Sequence, residues 1–350
     1  IDVFPFKNLN EVFSFIKTPD THAPYLRNDK EQVKSSFIHN FSEVNGQYMA
    51  KRAMEIAAAG FHNLLMIGPP GSGKSMLSKS LPSILPDMTD DEVLETSLIY
   101  SSAGLLNKND NLILNRPFRS PHHTISDVGI SGGGKVPVPG EISLAHNGVL
   151  FLDELPYFKK SALEVLRQPL EDGKITISRS LSSHTYPAKF MLVAAMNPCE
   201  DSIGLKDPDF NRCTEVQKRN YYSKISGPLL DRIDIQIEVK KLKLDEITAK
   251  SKSECSTTIR KRVVKARKTQ LNRFKKRDVP IYANGQMNNQ DIKECCILNT
   301  AGEKILKMAT DKLNLSTRSY FKVLKIARTI ADLDNSKNIM PQHLQEAIQY

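Results

Sequence analysis

The sequence predicts an α/β fold: a largely parallel sheet covered by helices, followed by an all-helical C-terminal region. Three observations predict it. Strand-length apolar runs alternate with helical stretches from Phe41 to about Val239, as in successive βαβ units. One of those runs leads into a glycine-rich turn and a helix start, and another ends in two acids. From Asn288 onward the apolar residues are spaced for helices only.

Composition sets the bounds. At about 150 residues per domain, 350 residues predict two domains, or one large domain with appendages. An apolar share of 40% supports a sizeable core and excludes a wholly disordered chain. No run of about 18 apolar residues occurs, which excludes a membrane-spanning helix. The 5 cysteines, an odd number scattered over a long chain, predict no disulfide scaffold and a reducing compartment, hence the cytoplasm. Val3–Ile16 lacks the basic start, continuous apolar core and small-residue site of a signal peptide. Because the chain begins at Ile1 without methionine, a truncated chain is expected. Net charge is +10, yet 15 Lys and Arg face only 4 Asp and Glu between Lys240 and Asp278. The rest of the chain is close to neutral. So basic a segment suggests a polyanionic partner, and a solvated helical face explains the charge equally well.

The elements follow in order. Residues 1–19 read as a short strand and a helix with Val12, Phe13 and Ile16 on one face. Residues 20–40 are polar, contain Pro24 and follow Pro19, so they read as a linker. Strands are expected at Asn63–Ile67, Glu95–Tyr100, Val149–Asp153, Phe190–Ala195 and Ile233–Val239, with helices such as Gln47–Ala59 and Lys160–Glu171 between them. Two stretches interrupt the alternation: residues 116–140, rich in Gly, Pro and His, and residues 173–189, which alternate like a hairpin. Residues 241–278 have sparse apolar positions and predict a long, mostly exposed helix. In Ser319–Asp332, the residues Tyr320, Val323, Leu324, Ala327, Ile330 and Ala331 line one helical face. Pro341 stands near the start of the last helix, where its missing N–H costs little.

Four motifs carry chemistry. Gly68-Pro69-Pro70-Gly71-Ser72-Gly73-Lys74-Ser75, followed by Met76, matches the phosphate-binding loop pattern between a strand and a helix. Its glycines let the backbone close around phosphate, and its N–H groups with the helix N-terminus supply positive potential. Lys74 is placed to reach the β- and γ-phosphates of ATP, and Ser75 to ligate Mg²⁺. In Val149-Leu-Phe-Leu-Asp153-Glu154, a buried strand delivers two carboxylates to the sheet edge where ligands bind. Asp153 is expected to hold the Mg²⁺ shell and Glu154 to act as base or orienter for the attacking water. Alone, an apolar run ending in Asp-Glu is common and mostly structural; joined to the phosphate loop it is far more specific. Asn197 ends the apolar run from Phe190 and is a candidate partner of the γ-phosphate or the water, or a turn residue before Pro198. Arg232, in Gly227-Pro-Leu-Leu-Asp-Arg-Ile-Asp234, is a candidate arginine finger. Read in isolation, it pairs locally with Asp231 or Asp234.

These four motifs in this order resemble the AAA+ ATPases. Arg116-Pro-Phe-Arg-Ser-Pro-His-His-Thr124, Pro139-Gly-Glu-Ile-Ser-Leu-Ala-His-Asn-Gly148 and Leu170-Glu-Asp-Gly173 narrow the resemblance to the ComM/YifB group, magnesium-chelatase-like AAA+ proteins. The resemblance implies a P-loop αβα core at 41–240 with hairpin insertions near 116–140 and 174–189. It also implies a basic helical segment at 241–287 and a helical lid at 288–350. Residues 1–19 resemble the tail of a preceding Lon-protease-like domain. A homo-oligomeric ring, expected to be a hexamer, is implied, with Arg232 acting in trans. Arg318, in Leu315-Ser-Thr-Arg-Ser-Tyr320, matches the lid arginine that touches the γ-phosphate. The group is associated with ATP-driven branch migration on DNA, which suits the basic segment. The alternative is a magnesium-chelatase-type ATPase subunit that remodels a protein partner. A third reading is a nucleotide-gated binding module with little turnover.

The sequence departs from the group at its cysteines. Family members commonly carry two Cys pairs after the Asn-Pro, like a small zinc site. Here Cys199 is followed by Glu200-Asp201, and Cys213 by Thr214-Glu215. No tight zinc is expected, because structural zinc sites strongly prefer Cys and His ligands. A two-Cys, two-carboxylate set with Asp201 and Glu215 is the weaker alternative. Cys295 and Cys296 read as packing residues. His122 and His123 are expected to point apart and to hold a loop by imidazole hydrogen bonds. Gly132-Gly133-Gly134 reads as a flexible hairpin tip.

Overall fold

The computed structural model describes residues 4, 6, 8–19, 22–23, 39–106, 112–134, 137–178, 183–199, 213–242, 253–275, 277 and 281–350. The chain divides into two compact units, 1–36 and 37–350. In the first, helix α1 (Leu9–Lys17) starts where the Asn8 side chain accepts the Glu11 N–H. Phe4, Phe6 and His22 gather around Phe15, with ring centroids 4.7 to 5.6 Å from it. Leu9, Phe13 and Ile16 lie on the exposed side. The expected strand and most of the 20–40 linker fall outside the described residues.

In the second unit, helix α2 (Tyr48–Gly60) precedes strand β1 (Leu64–Ile67), then α3 (Lys74–Ser80) and α4 (Asp90–Ser102). Strand β2 (Phe118–Arg119) is followed by α5 (Asp127–Ser131), a small β3–β4 ladder (Gly132–Gly133 with Val138–Pro139) and α6 (Glu141–Leu144). Strand β5 (Val149–Leu152) leads to two short helices, α7 (Lys160–Val165) and α8 (Arg167–Asp172). The β6–β7 hairpin (Lys174–Ser178 with Ser183–Pro187) and β8 (Met191–Met196) come next. Then follow α9 (Glu215–Tyr222), α10 (Gly227–Leu230) and β9 (Ile235–Glu238). The C-terminal region holds α11 (Ser256–Phe274), α12 (Asn289–Cys295), α13 (Thr300–Leu313), α14 (Thr317–Leu333) and α15 (Pro341–Ile348).

The main sheet is parallel throughout, in the order β2-β5-β8-β1-β9. The inner strands β5, β8 and β1 are apolar on both faces, as strands covered on both sides must be, whereas edge strand β9 alternates, with Gln236 and Glu238 exposed. Leu64, Met66, Phe151 and Val193 face one core with α2 and the α14 residues Leu324, Ala327 and Ile330. Leu65, Leu150, Leu152 and Ala194 face a second core with Ile142, Leu155 and Leu163. The register sets Leu152 beside Ala194 and Ile67 beside Met196, so the turns after β1, β5 and β8 leave the same edge of the sheet.

Four expectations need correction. Glu95–Tyr100 is helical, inside α4. Thr89 and Glu92 exchange the two hydrogen bonds of a capping box, and Asp90, Asp91 and Glu92 crowd the first turn. The strand beside β5 is instead Phe118–Arg119, inside the stretch read as an interruption, with Phe118 stacked on Phe151 at 6.0 Å. The expected Lys160–Glu171 helix breaks at Leu166, where the ring of Pro169 conflicts with the carbonyl four residues before it. Gly132 and Gly133 are buried in the ladder rather than at a tip; a Cβ on Gly132 would fall 2.4 Å from the Val138 carbonyl oxygen. No helix among the described residues is long and apolar enough to cross a membrane.

Candidate functional site

The phosphate loop leaves β1 and enters α3 through two left-handed glycines, Gly71 (φ 76°) and Gly73 (φ 90°). Gly68 has no room for a side chain, because a Cβ there would lie 2.1 Å from the Val239 carbonyl oxygen. Lys74 is buried, and its ammonium donates to the carbonyls of Gly68 (2.7 Å) and Pro69 (2.8 Å) and to Asn197 Oδ1 (3.1 Å). Ser75 Oγ donates to Asp153 Oδ2 at 2.6 Å. The ends of β1, β5 and β8 are thereby tied together around one cavity of about 340 Å³. Its lining includes Gly71, Lys74, Ser75, Asp153, Glu154 and Asn197. Met76, at the mouth, is part exposed. Glu154 has a left-handed backbone (φ 55°), rare for a side-chain-bearing residue, and its N–H donates to Asp153 Oδ1 at 3.0 Å.

The cavity suits a Mg²⁺-bound polyphosphate. Its glycine loop leaves space for phosphate oxygens, its lysine is the residue that neutralises them, and Ser75 and Asp153 offer hard oxygen ligands. Among the described residues no group of three or more His, Cys, Asp and Glu is placed to hold a metal on its own. A Mg²⁺ here would take its remaining ligands from phosphate and water, its usual habit.

Arg232 and Arg318 do not line this cavity. They line a second cleft of about 490 Å³ with Glu171, Asp234, Lys322 and Lys325. Arg232 pairs with Glu171 rather than with Asp231 or Asp234, and also donates to the Pro228 carbonyl at 2.7 Å. The hydrogen bond from Arg232 holds the Glu171 carboxyl below its ordinary range, with Arg318 and Arg167 adding to it. Asn63 fixes the approach to Arg232: its amide donates to the Arg232 carbonyl (2.9 Å) and accepts the Leu192 N–H (2.8 Å). Burial alone would raise the Asp234 carboxyl, but His62, Lys325 and Lys322 hold it below the usual range. Arg318 stands in the first turn of α14, beside its Ser316 cap.

The model of the family described as magnesium chelatase, subunit ChlI, matches residues 40–247. That is more than half of the chain, and the companion ChlI C-terminal model matches residues 253–350. The chain belongs to the magnesium chelatase ChlI family. Within this AAA+ ATPase family it is similar to the uncharacterized protein YifB of Escherichia coli, 43% identical over 98% of this chain and 66% of the relative. The competence protein ComM of Haemophilus influenzae is 45% identical over 91% of this chain and 63% of its own length. The chain thus spans somewhat under two thirds of these curated relatives. The magnesium-chelatase 67 kDa subunit of Chlorobaculum parvum is 27% identical over 48% of this chain and 25% of that protein.

In this ChlI-family chain the two long signature stretches brace each other. Arg119 forms a two-pronged pair with Glu141 (2.7 and 2.6 Å), and Arg116 joins Glu92 to the carbonyl of Asn147. His146 accepts the Lys189 N–H at Nδ1 and reaches Glu95 through Nε2. Two residues near the site have contacts that the sequence reading did not assign. Gln47, left-handed at φ 52°, donates to the carbonyls of Ser72 and Lys240, and so ties the start of α2 to the phosphate loop. Its short polar surroundings give no periodic signal. His123 pairs with Glu154 at 3.1 Å. The two histidine rings lie 4.1 Å apart rather than diverging, while His122 holds Thr124 as expected of a loop residue.

The basic helix also differs from expectation. It is α11, and one face is buried: Ile259, Val263, Ala266, Gln270 and Phe274 recur at helical spacing. Its arginines turn inward and its lysines outward. Arg262 pairs with Glu55 and Glu254, Arg273 with Asp332, and Arg267 donates to the carbonyls of Ala58 and Ala59. Burial, with Arg116 nearby, pushes the Arg267 guanidinium down to about 9. Lys261, Lys265 and Lys268 are exposed.

Cys199 and Cys213 are paired as a disulfide, which the cysteine count did not predict. Asp201 of the alternative metal set lies outside the described residues. Cys296 is buried, which pushes its thiol up to about 12.

Proposed function

We propose that this chain is a Mg²⁺-dependent ATPase that works as a homo-oligomeric ring, a hexamer, and moves DNA strands in the cytoplasm. The observation that carries the reading is the convergence of Lys74, Ser75, Asp153 and Asn197 at the carboxyl ends of three parallel strands. Loop amides and Lys74 bind the phosphates of ATP. Ser75 and Asp153 are the residues that would hold Mg²⁺, which neutralises charge on the β- and γ-phosphates. Glu154 accepts the proton of the attacking water, and Asn197 orients the water or the γ-phosphate.

Arg232 and Arg318 act on a neighbouring subunit's nucleotide, since both line a cleft apart from their own phosphate loop. The lid arginine is therefore assigned in trans as well. Residues 41–240 form the ATPase core, 241–287 the basic segment and 288–350 the lid. DNA as the track is supported by the lysine row Lys261, Lys265 and Lys268 and by similarity to a competence protein. The chelatase-type alternative has the family description behind it, but the magnesium-chelatase 67 kDa subunit is similar over only 48% of the chain, at 27% identity.

The test is nucleotide binding and turnover in two variants. Lys74→Ala should lose roughly 10- to 100-fold in ATP affinity, the size expected for charge-assisted hydrogen bonds. Glu154→Gln should retain ATP but lose turnover by roughly 10²- to 10⁴-fold. Unchanged affinity in the first would remove the phosphate-loop assignment; normal turnover in the second would remove Glu154 as the base.

A further inference from the structure

Glu154 has a partner that plays no part in the chemistry above. Its side chain reaches the phosphate cavity, but the carboxyl is half exposed and has several rotamers to choose from. The strained backbone and the hydrogen bond to Asp153 fix where its chain leaves the sheet, not where its carboxylate points. His123 Nδ1 lies 3.1 Å from Glu154 Oε2. This is the one ion pair found for Glu154 among the described residues.

The His123 ring is itself held. His122 lies against it at 4.1 Å, and Tyr157 and Phe158 pack at 6.1 and 6.4 Å, the last edge-on. Both flanks of the segment are anchored. Upstream, Arg119 in β2 is clamped to Glu141; downstream, Ser126 caps α5 through the Gly129 N–H. A held donor beside a loose acceptor restricts the acceptor.

We propose that His123 is a positioning residue for the Glu154 carboxylate. At 3.1 Å, His123 Nδ1 is close enough to donate to Oε2 once the ring turns its N–H toward it, leaving Oε1 free to accept the proton of the attacking water. His123 is not among the residues that line the phosphate cavity, so its effect passes through Glu154. Because the same segment runs into α5 and the β3–β4 ladder, a shift of that insertion would move the donor and change the hydrolysis rate. The inference rests on the reading of Glu154 as the base.

The experiment compares His123→Ala and His123→Asn with the unaltered chain, measuring kcat and KM for Mg²⁺-ATP, ATP affinity by calorimetry, and the unfolding midpoint. His123→Ala should lower kcat by roughly 10- to 100-fold with ATP affinity and unfolding midpoint unchanged. His123→Asn keeps an N–H donor at the Nδ1 position, one bond from Cγ in both side chains, and should recover most of that loss. A kcat for His123→Ala within about twofold of the unaltered chain would overturn the proposal. So would a parallel fall in ATP affinity, or an Asn variant no better than Ala. If His123→Ala does not fold, the Asn variant and His123→Gln, whose amide nitrogen sits one bond beyond the Nδ1 position, make the same comparison. Glu154→Gln separates the two claims. Normal turnover there removes the base, whereas lost turnover there beside a normal His123→Ala removes only the positioning role.

Discussion

At the residue scale, several buried titratable side chains take their protonation from burial and from the partners they meet. His146 shows it best. It is fully buried, it accepts a backbone N–H at Nδ1, and burial outweighs the pull of Glu95 to lower its pKa. His343 is buried and lowered in the same way. An unfolded chain takes up a proton on each near about pH 6.5, whereas the folded chain does so only at lower pH. The folded state therefore binds fewer protons below about pH 6.5, and stability falls as pH drops through that range. Urea unfolding at pH 7.5 and 5.5 should show this loss, and His146→Asn should make it shallower. An unchanged pH dependence in the variant would remove His146 as a source. The phosphate-loop residues, Asp153, Glu154 and Asn197 were legible from the sequence because their spacing to apolar strands is itself the signal. The partners of Arg232 and His123 were not, since Glu171 and Glu154 lie 61 and 31 positions away in the chain.

At the element scale, the sequence misled where a local signal was outweighed. Glu95–Tyr100 has strand-like composition, but the Thr89–Glu92 capping box upstream starts a helix that runs through it. Strand β2 has only 2 residues between Pro117 and Ser120, too few for any period to register. Helix α11 looked exposed because Ser256, Arg267 and Gln270 on its buried face are polar. Arg267 is buried because it supplies donors to the carbonyls at the end of α2, a favoured place for a cation. Arginine and lysine thus have different work on one helix. Arg267→Ala should destabilise the fold by roughly 1–3 kcal/mol, the cost of leaving buried acceptors unsatisfied. The triple variant Lys261→Ala, Lys265→Ala and Lys268→Ala should leave the unfolding midpoint unchanged. It should weaken duplex binding and reduce the salt slope by about 0.9 for each phosphate that a lysine no longer neutralises. An unaltered salt slope would place DNA elsewhere or exclude it.

At the scale of the whole molecule, the parallel sheet and helical C-terminal region were legible because alternation and helical spacing persist over long windows. The relation between the two clefts was not. Motif order puts Arg232 and Arg318 in the catalytic set, but only the folded chain separates them from Lys74 and Ser75. The proposed ring would resolve the separation by pairing one subunit's arginines with the next subunit's phosphates. Arg232→Ala protein should turn over ATP at least roughly 10³-fold more slowly, the loss typical of an arginine finger. Mixing it with Glu154→Gln protein should restore part of the activity, since some interfaces then join an intact base to an intact arginine. No recovery, with subunit exchange verified, would confine Arg232 to its pairing with Glu171.

The most direct measurement is steady-state ATP hydrolysis with Mg²⁺, alone and with branched or single-stranded DNA at low salt. A DNA-moving ATPase predicts basal turnover that is indifferent to salt and a stimulation by DNA that fades as salt is added. Turnover that ignores DNA at every salt concentration would contradict it and favour an ATPase that remodels a protein partner.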